Sequence, residues 1–352
     1  MYGSASIDTF NTSTGQVFSP ASSSATMKNR IINGDHRIDQ RNAGASVTVS
    51  ASTQTYITDR FSILTTASGS KVTAQQNAGS VTPPPGFSNY LGFTSLSAAS
   101  IGAGDLFRAF YPMEGYAISD LAWGSANAKP VTLSFWARSS LTGNFGICLQ
   151  NASNNRAYAA SYSIPVANTW TYCSITIPGE TTGTWGSNNS LGIAINFDLG
   201  SGANDLIAPG SWQAVNANGA TGCVPLVGTS GATLYLTGIQ LEVGSVASSF
   251  DFRHYGVELA LCQRYYQKFN SFISAYNGTS DPYSLVIYLK TSMRSTPTID
   301  ACNKDKYWEL IKQIEPEFYL LRVALEETHL NPMILIQIIR GIHNLTLGAG
   351  YG

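Results

Sequence analysis

Aromatic side chains in polar loops are the residues of this 352-residue chain that best suit the binding of a ligand. Trp123, Trp185 and Trp212 occur in segments rich in Gly, Ser and Asn, and Tyr116 occurs in another loop. A flat ring packs against the C–H face of a pyranose, and a side-chain amide such as that of Asn188 hydrogen-bonds sugar hydroxyls. These five residues are therefore the predicted carbohydrate-binding surface.

The same rings allow a second interpretation, because loop aromatics also close the open ends of a β-sandwich. The rings would then pack against the core, which is the commoner fate of a large apolar side chain. Trp136 and Trp170 differ from the loop tryptophans, since both occur in apolar alternating segments and are predicted to be packed. The sequence leaves both interpretations of the loop tryptophans open.

Acidic residues could support hydrolysis, but no spacing marks a catalytic pair. Glycosidases use two carboxyl groups about 5 to 10 Å apart, and Glu180 and Asp198 occur where predicted strands end. Acids at such positions more commonly cap turns. The chain also has no nucleophile-elbow, zinc-protease, P-loop or dinucleotide motif. The sequence therefore predicts a non-enzymatic protein with no catalytic residues.

Metal-ligating patterns are equally sparse. The five cysteines are widely spaced without a CxxC pair, which favours buried reduced thiols over a zinc site. Asp198 and Asp205 flank a Gly-Ser-Gly loop and are the best candidates for a structural Ca²⁺ of the kind that β-sandwiches bind. No other metal or cofactor is predicted.

The charge content and the length of the apolar runs each exclude one class of protein. Only 12% of the residues are charged, and the net charge is −1, whereas proteins that bind nucleic acid electrostatically are strongly basic. No run of about 18 apolar residues occurs, so no membrane insertion is expected. Solubility must come from hydroxyl and amide groups, which is typical of β-rich extracellular and virion modules.

Short strands must hold these loops in place. In 131–138 and 191–199 apolar side chains alternate with polar or small ones, which is the period of a half-buried strand. The alternation changes phase at Gly238, as expected for a β-bulge. About a dozen such segments, including single strands over 56–65 and 249–255, predict an antiparallel β-sandwich of the jelly-roll type over 29–255.

The remaining segments differ in composition from the sandwich. Residues 1–28 are a Ser/Thr/Ala/Gly tract and are predicted to be an extended leader. Residues 256–302 combine a short amphipathic helix over 257–269 with β segments. Residues 303–352 contain five of the nine glutamates and predict a small helical segment. This last segment has no recognisable origin: it is either a trimerisation or attachment element native to the protein or a separate module joined to it.

Several blocks of sequence carry a resemblance to a known family. They are 29–35 (NRIINGD), 37–41 (RIDQR), 56–60 (YITDR), 132–138 (TLSFWAR), 178–185 (PGETTGTW), 237–244 (TGIQLEVG), 250–253 (FDFR) and 258–266 (ELALCQRYY). Together they resemble phage tail-fibre and related virion receptor-binding proteins over roughly residues 29–300. The last three blocks are the most specific.

The resemblance implies a carbohydrate-binding-module-like jelly roll in a trimeric fibre that contacts the host. The expected function is recognition of a host cell-surface carbohydrate by a homotrimer whose leader attaches to other virion tail proteins. The expected location is the virion tail, after synthesis in the host cytoplasm, because the opening residues lack the basic and apolar regions of a secretory signal. The alternatives are a purely structural virion component, such as a baseplate, neck or head decoration, and a glycan-degrading tailspike.

Overall fold

The computed structural model describes residues 27–49, 52, 54–66, 71–268, 273–275, 284–286 and 289–295, together with the strand residues 10–11 and 17–18. One compact unit spans Met1–Ser295. The predicted helical segment 303–352 and most of the predicted leader 1–28 lie outside the described residues.

Strands account for most of the described structure. In chain order they are β1 (Phe10–Asn11), β2 (Val17–Phe18), β3 (Val47–Thr48), β4 (Thr55–Thr58), β5 (Phe61–Thr65), β6 (Val72–Gln76), β7 (Leu91–Ser95), β8 (Phe107–Glu114), β9 (Val131–Ser139), β10 (Gly143–Asn151), β11 (Ala157–Ile164), β12 (Thr171–Ile177), β13 (Leu191–Asp198), β14 (Leu206–Ile207), β15 (Trp212–Gln213), β16 (Gly219–Ala220), β17 (Thr233–Val243), β18 (Ile273–Ala275) and β19 (Ser284–Val286). The α-helix of the described residues, α1, spans Tyr255–Gln263.

Two large antiparallel sheets face each other. One has seven strands in the order β15-β11-β10-β13-β8-β5-β4, and the other has six in the order β12-β9-β17-β7-β6-β3. The chain crosses between the sheets several times, as in a jelly roll, although the hairpins β4–β5, β6–β7 and β10–β11 each stay within one sheet. The predicted mainly β fold, an antiparallel β-sandwich with a short helix, is confirmed.

The core lies between the sheets and follows from the alternation in the sequence. Ile193, Ile195 and Phe197 of β13 are buried on one face, and the ring of Phe197 lies 5.3 Å from that of Phe135 on β9 in the opposite sheet. Each large apolar side chain buried in this way stabilises the fold by about 1.5 to 3 kcal/mol. The layer of rings and branched side chains holds the two sheets in a fixed relation.

Two predicted strands differ from the observed structure. Residues 56–65 form the hairpin β4–β5, which turns at Asp59 and Arg60, with Arg60 in the left-handed region at φ 73°. Residues 249–255 are not a strand. The Gln240 side chain accepts a hydrogen bond from the backbone N–H of Asp251 at 2.8 Å, so side chains of β17 hold this segment without a backbone ladder.

The predicted bulge and helix occur with adjusted bounds. The register between β17 and β9 shifts between Thr237 and Gln240, around Gly238, which has φ 61°. Helix α1 begins two residues earlier and ends six residues earlier than the apolar pattern predicts. His254 caps its N-terminus by accepting a hydrogen bond from Gly256 N–H at 3.3 Å.

Residues 29–38 form a segment that lies against β17. The backbone N–H of Ile239 donates to the Gly34 carbonyl at 2.9 Å, and that of Arg30 donates to the Leu241 carbonyl at 2.9 Å. The approach is so close that a Cβ on Gly34 would lie 2.0 Å from the Ile239 oxygen, so only glycine fits there. Arg253 joins the segment to α1 by donating to the Ile31 carbonyl and to Glu258, both at 3.0 Å.

Candidate functional site

A cleft of about 290 Å³ opens on the outer face of the seven-stranded sheet. Its walls come from β4 and β8, the turn before β13, the end of α1 and residue 294. Arginines, tyrosines, carboxylates and amides line it. They include Arg41, Arg60, Arg294, Tyr56, Tyr265, Tyr266, Asp59, Glu114 and Asn189.

Local geometry brings these side chains to one place. In β8 the odd-numbered residues from Phe107 to Met113 are buried, so Glu114 lies on the outward phase of the strand. The left-handed conformation of Arg60 tightens the β4–β5 turn at the sheet edge. Helix α1 ends at Gln263, and the next residues, Tyr265 and Tyr266, enter the cleft wall.

Two arginines are stacked on tyrosine rings. The guanidinium carbon of Arg41 lies 3.7 Å from the ring centroid of Tyr266 and 4.7 Å from that of Tyr56. That of Arg60 lies 3.4 Å from the Tyr265 centroid. Each such cation–π contact contributes about 0.5 to 2 kcal/mol, depending on burial. The stacks fix the end of α1 against the sheet and hold the cleft in shape without a ligand.

The two carboxylates of the cleft are both engaged. Glu114 accepts hydrogen bonds from Nε and Nη2 of Arg264 at 3.0 and 3.1 Å, and this contact raises the pKa of Arg264. Asp59 accepts from the Gln40 backbone N–H at 3.1 Å and from the Gln40 side-chain amide. Burial raises the pKa of Asp59. The acids therefore organise the wall.

Burial raises the pKa of Tyr265, and a side-chain hydrogen bond with Glu114 also raises it, so the phenol is protonated at neutral pH and is held against that carboxylate. The cleft thus combines fixed N–H and O–H donors with apolar ring surface. Such a mixture suits a ligand with many hydroxyl groups attached to a C–H framework.

The three predicted loop tryptophans lie together in a packed cluster outside this cleft. Trp123 and Trp185 are 4.8 Å apart between ring centroids, Trp123 and Trp212 are 5.3 Å apart, and all three pairs meet edge to face. Each indole N–H donates to a backbone carbonyl, at 2.8 to 3.0 Å. Trp123 is 8% exposed and offers little ring surface to a ligand. Glycan contact by Trp185 and Trp212, which are partly buried, stays a prediction.

Tyr116 and Asn188 lie beside each other and are not part of the tryptophan cluster. The Tyr116 side chain is 61% exposed, and its backbone N–H donates to the Asn188 carbonyl at 2.9 Å. The Asn188 side chain accepts from the Ser190 N–H at 2.9 Å. Residues 189–191 continue into the cleft wall, so this predicted pair borders the cleft.

Sequence reasoning missed the residues that line the cleft. The sequence predicts a strand at Tyr56 and a helix at Tyr265 and Tyr266, and it assigns no binding role to these residues or to Arg41. A signal was present, because each lies in a block that carries the family resemblance, and two of those blocks, 56–60 and 258–266, contain both arginine and tyrosine. The spacing of residues within each block does not show that the blocks contact one another in the folded protein.

The predicted calcium candidates have other contacts. Asp198 Oδ1 accepts hydrogen bonds from Gly200 N–H at 3.0 Å and from the N–H and hydroxyl of Ser201, each at 2.8 Å. Asp205 accepts from the Asn218 amide at 2.6 Å. In the described part of the chain, no three His, Cys, Asp or Glu side chains group in a way that could hold a metal ion.

The remaining chemically notable groups are structural. Glu180 accepts a hydrogen bond from Arg156 at 2.7 Å; burial alone would raise its pKa, but hydrogen bonds from Arg156 and Thr182 lower it. The buried free thiols predicted from the spacing of the cysteines are observed at Cys148, Cys173 and Cys262, whereas Cys223 is a free thiol that is only partly buried and Cys302 lies outside the described residues. Among the described residues, no helix has the length and apolar character needed to cross a bilayer.

Comparison with known proteins gives structural likeness only. No family model and no curated protein matches the chain. The enzymatically active domain of tailspike protein 4 of bacteriophage CBA120 is similar at a TM-score of 0.32 and 14% identity, over 62% of this chain and 22% of that one. The chain therefore matches about a fifth of the length of that tailspike domain.

Two carbohydrate-binding domains are also similar. The family 11 carbohydrate-binding module of a Clostridium thermocellum cellulase has a TM-score of 0.28 and 12% identity, over 57% of this chain and 96% of that one. The N-terminal cellulose-binding domain of a Cellulomonas fimi glucanase has a TM-score of 0.25 and 14% identity, over 51% and 90%. At these scores the fold assignment rests on the strand pairing of the chain itself.

Proposed function

We propose that this protein is a non-enzymatic glycan-binding protein and that the cleft beside α1 is its binding site. The observation that carries the proposal is the lining of the cleft. Tyrosine rings, guanidinium groups and an amide converge there on one preformed recess of about 290 Å³. Stacked contacts already hold these groups in place, so binding would cost little side-chain ordering.

The finer proposal is a tail-fibre or virion receptor-binding role that recognises a host cell-surface carbohydrate. Its support is the family resemblance together with the place where the resembling blocks meet. Blocks 37–41 and 56–60 lie near each other in sequence and block 258–266 lies far from both, yet all three contribute to the cleft wall. A homotrimer in the virion tail, attached to other tail proteins through residues 1–28, completes this proposal.

Binding without catalysis is supported by the hydrogen bonds of the two cleft acids. A glycosidase needs one carboxyl to protonate the leaving oxygen and another to attack or to activate water. Here Arg264 holds Glu114 through two hydrogen bonds, and Gln40 holds Asp59. A carboxylate committed to an arginine fork is poorly suited to donate a proton.

The test is a glycan array probed with the full chain, its Tyr56→Ala and Tyr266→Ala variants and a Tyr172→Ala control. Tyr172 is a half-exposed tyrosine on the other sheet, where it contacts Trp136. We expect the wild type and the control to retain the same glycans and the cleft variants to lose about 10-fold or more in affinity. Equal retention by all four proteins would remove the cleft as the site, and no retained glycan would refute glycan binding.

Catalysis is measured separately. The full chain is incubated with each retained polysaccharide, and reducing ends are assayed. We expect no increase over a buffer control. Reducing ends that rise with protein concentration would replace the binding proposal with the glycan-degrading tailspike alternative. Electron microscopy of assembled particles tests the virion assignment, because it shows position and copy number together.

A further inference from the structure

We propose that the cleft selects glycans bearing an oxyanion, a carboxylate or a phosphate, and that Arg41 is the residue that recognises it. This inference rests on the proposed function and narrows its ligand class. It is based on a difference in hydrogen bonding among the three arginines of the cleft wall.

Two of these arginines each donate a guanidinium hydrogen bond to a backbone carbonyl of the protein. Arg60 donates through Nη2 to the Pro112 carbonyl, and Arg294 donates through Nη1 to the Asn189 carbonyl at 2.9 Å. Within the described residues, the Arg41 guanidinium makes ring contacts but no hydrogen bond, so its five N–H donors are available to a ligand.

The position of Arg41 is fixed although its donors are free. The ring centroids of Tyr266 and Tyr56 lie 3.7 and 4.7 Å from its guanidinium carbon. A stacked guanidinium loses little further freedom on binding, and its planar fork matches the two oxygens of a carboxylate or phosphate. A neutral sugar would satisfy fewer of these donors with weaker hydrogen bonds.

The charges around the cleft favour the same ligand class. Arg41, Arg60 and Arg294 contribute three positive charges to the wall, and the negative charge of Glu114 is matched by Arg264. Asp59 attracts Arg41 electrostatically, yet its hydrogen bonds are with Gln40. The cleft is therefore positive in a chain whose net charge is −1.

The experiment compares wild type with Arg41→Gln, Arg41→Lys and an Arg138→Gln control on one array of neutral, carboxylated and phosphorylated glycans. Arg138 is a matched control, because it also lies over a tyrosine, Tyr235 at 5.3 Å, but on β9 of the other sheet. Urea unfolding of each variant checks that the fold is retained.

We expect the retained glycans to carry an oxyanion and Arg41→Gln to weaken their binding about 10- to 100-fold, as for the loss of hydrogen bonds to a charged group. Arg41→Lys should give an intermediate loss, and Arg138→Gln none. Reducing the carboxyl groups of the best ligand to alcohols separates the two sources: abolished binding identifies a carboxylate, and unchanged binding identifies a phosphate.

Neutral glycans retained as well as acidic ones would overturn this inference and leave the proposed glycan binding intact. Acidic glycans bound equally by wild type and Arg41→Gln would remove Arg41 from the recognition. A chain that retains no glycan fails the proposed function itself. The three failures are therefore distinguishable on one array.

Discussion

His36 gives the chain a pH-dependent stability that can be calculated from its surroundings. The side chain is 0% exposed, its ring lies 4.4 Å from that of Phe61, and its Nδ1 lies 3.1 Å from the Thr58 hydroxyl. Its Nε2 has no hydrogen-bond partner among the described residues. Burial therefore lowers the pKa of His36 from 6.5 to about 3.

The sign follows from where the proton binds. Between pH 6.5 and about 3 the unfolded chain binds a proton at residue 36, but the folded chain does not. Stability is therefore lost as pH falls through this range. Each pH unit below 6.5 costs about 1.4 kcal/mol, so His36 alone should lower the free energy of unfolding by about 2 kcal/mol at pH 5.

The measurement is urea unfolding at pH 7.5 and pH 5, followed by tryptophan fluorescence, on wild type and His36→Asn. Asparagine tolerates the left-handed backbone of this position, where φ is 55°, and does not titrate. Asp35 and Asp59, whose pKa values burial raises, act in the opposite direction. They are present in both proteins, so their effect largely cancels in the difference.

We expect the wild type to exceed His36→Asn in stability at pH 7.5 and this difference to shrink by about 2 kcal/mol at pH 5. An equal difference at the two pH values would show that His36 is not held neutral by burial. A difference that grows on acidification would mean that the folded state stabilises the imidazolium.

Two further predictions concern packing. Gly34→Ala should lower the free energy of unfolding by about 1 to 3 kcal/mol or abolish folding, because its Cβ would lie 2.0 Å from the Ile239 oxygen. Gly104→Ala is the control in urea unfolding, because its Cβ would have no atom nearer than 4.0 Å. Equal stability of the two variants would disprove the close approach at Gly34. Trp185→Ala and Trp212→Ala should each cost about 2 to 4 kcal/mol through lost ring contacts; a selective loss of glycan affinity on the array would show that the tryptophans contact the ligand, and unchanged affinity in both variants would refute that prediction.

Strand prediction succeeded where alternation alone decides the structure. Segment 131–138 matches β9 to within one residue, because its buried and less buried faces differ clearly in sequence. The β4–β5 hairpin was missed because Ile57, Phe61 and Ile63 keep the same parity across the turn. The turn also lacks the glycine or proline that would signal it in the sequence. Arg60 adopts the left-handed conformation instead.

Segment 249–255 shows a different reason for failure. Its alternating Phe250 and Phe252 resemble a strand pattern, but their rings pack on each other at 4.7 Å and on Phe87 at 5.2 and 5.3 Å. A local aromatic cluster therefore produced the period. Alternation identifies a strand only where a neighbouring strand supplies hydrogen bonds.

The site was less predictable than the fold. Composition and loop context single out Trp123, Trp185 and Trp212, whose rings contact one another, but they do not show whether these rings face solvent or each other. The cleft depends on contacts such as that of Arg41 with Tyr266, which are distant in sequence. Only the folded register brings such residues together, so no spacing rule could find them.

The contacts of residues 29–38 also determine how this protein would respond to mechanical force. Asn29 and the region of α1 are joined directly, since Arg253 donates to the Asn29 carbonyl and the Asn29 N–H donates to Asp251 at 3.3 Å. Tension applied between residue 29 and residue 253 would therefore load this junction first. The rest of the chain between these two residues would carry the load only after these hydrogen bonds opened.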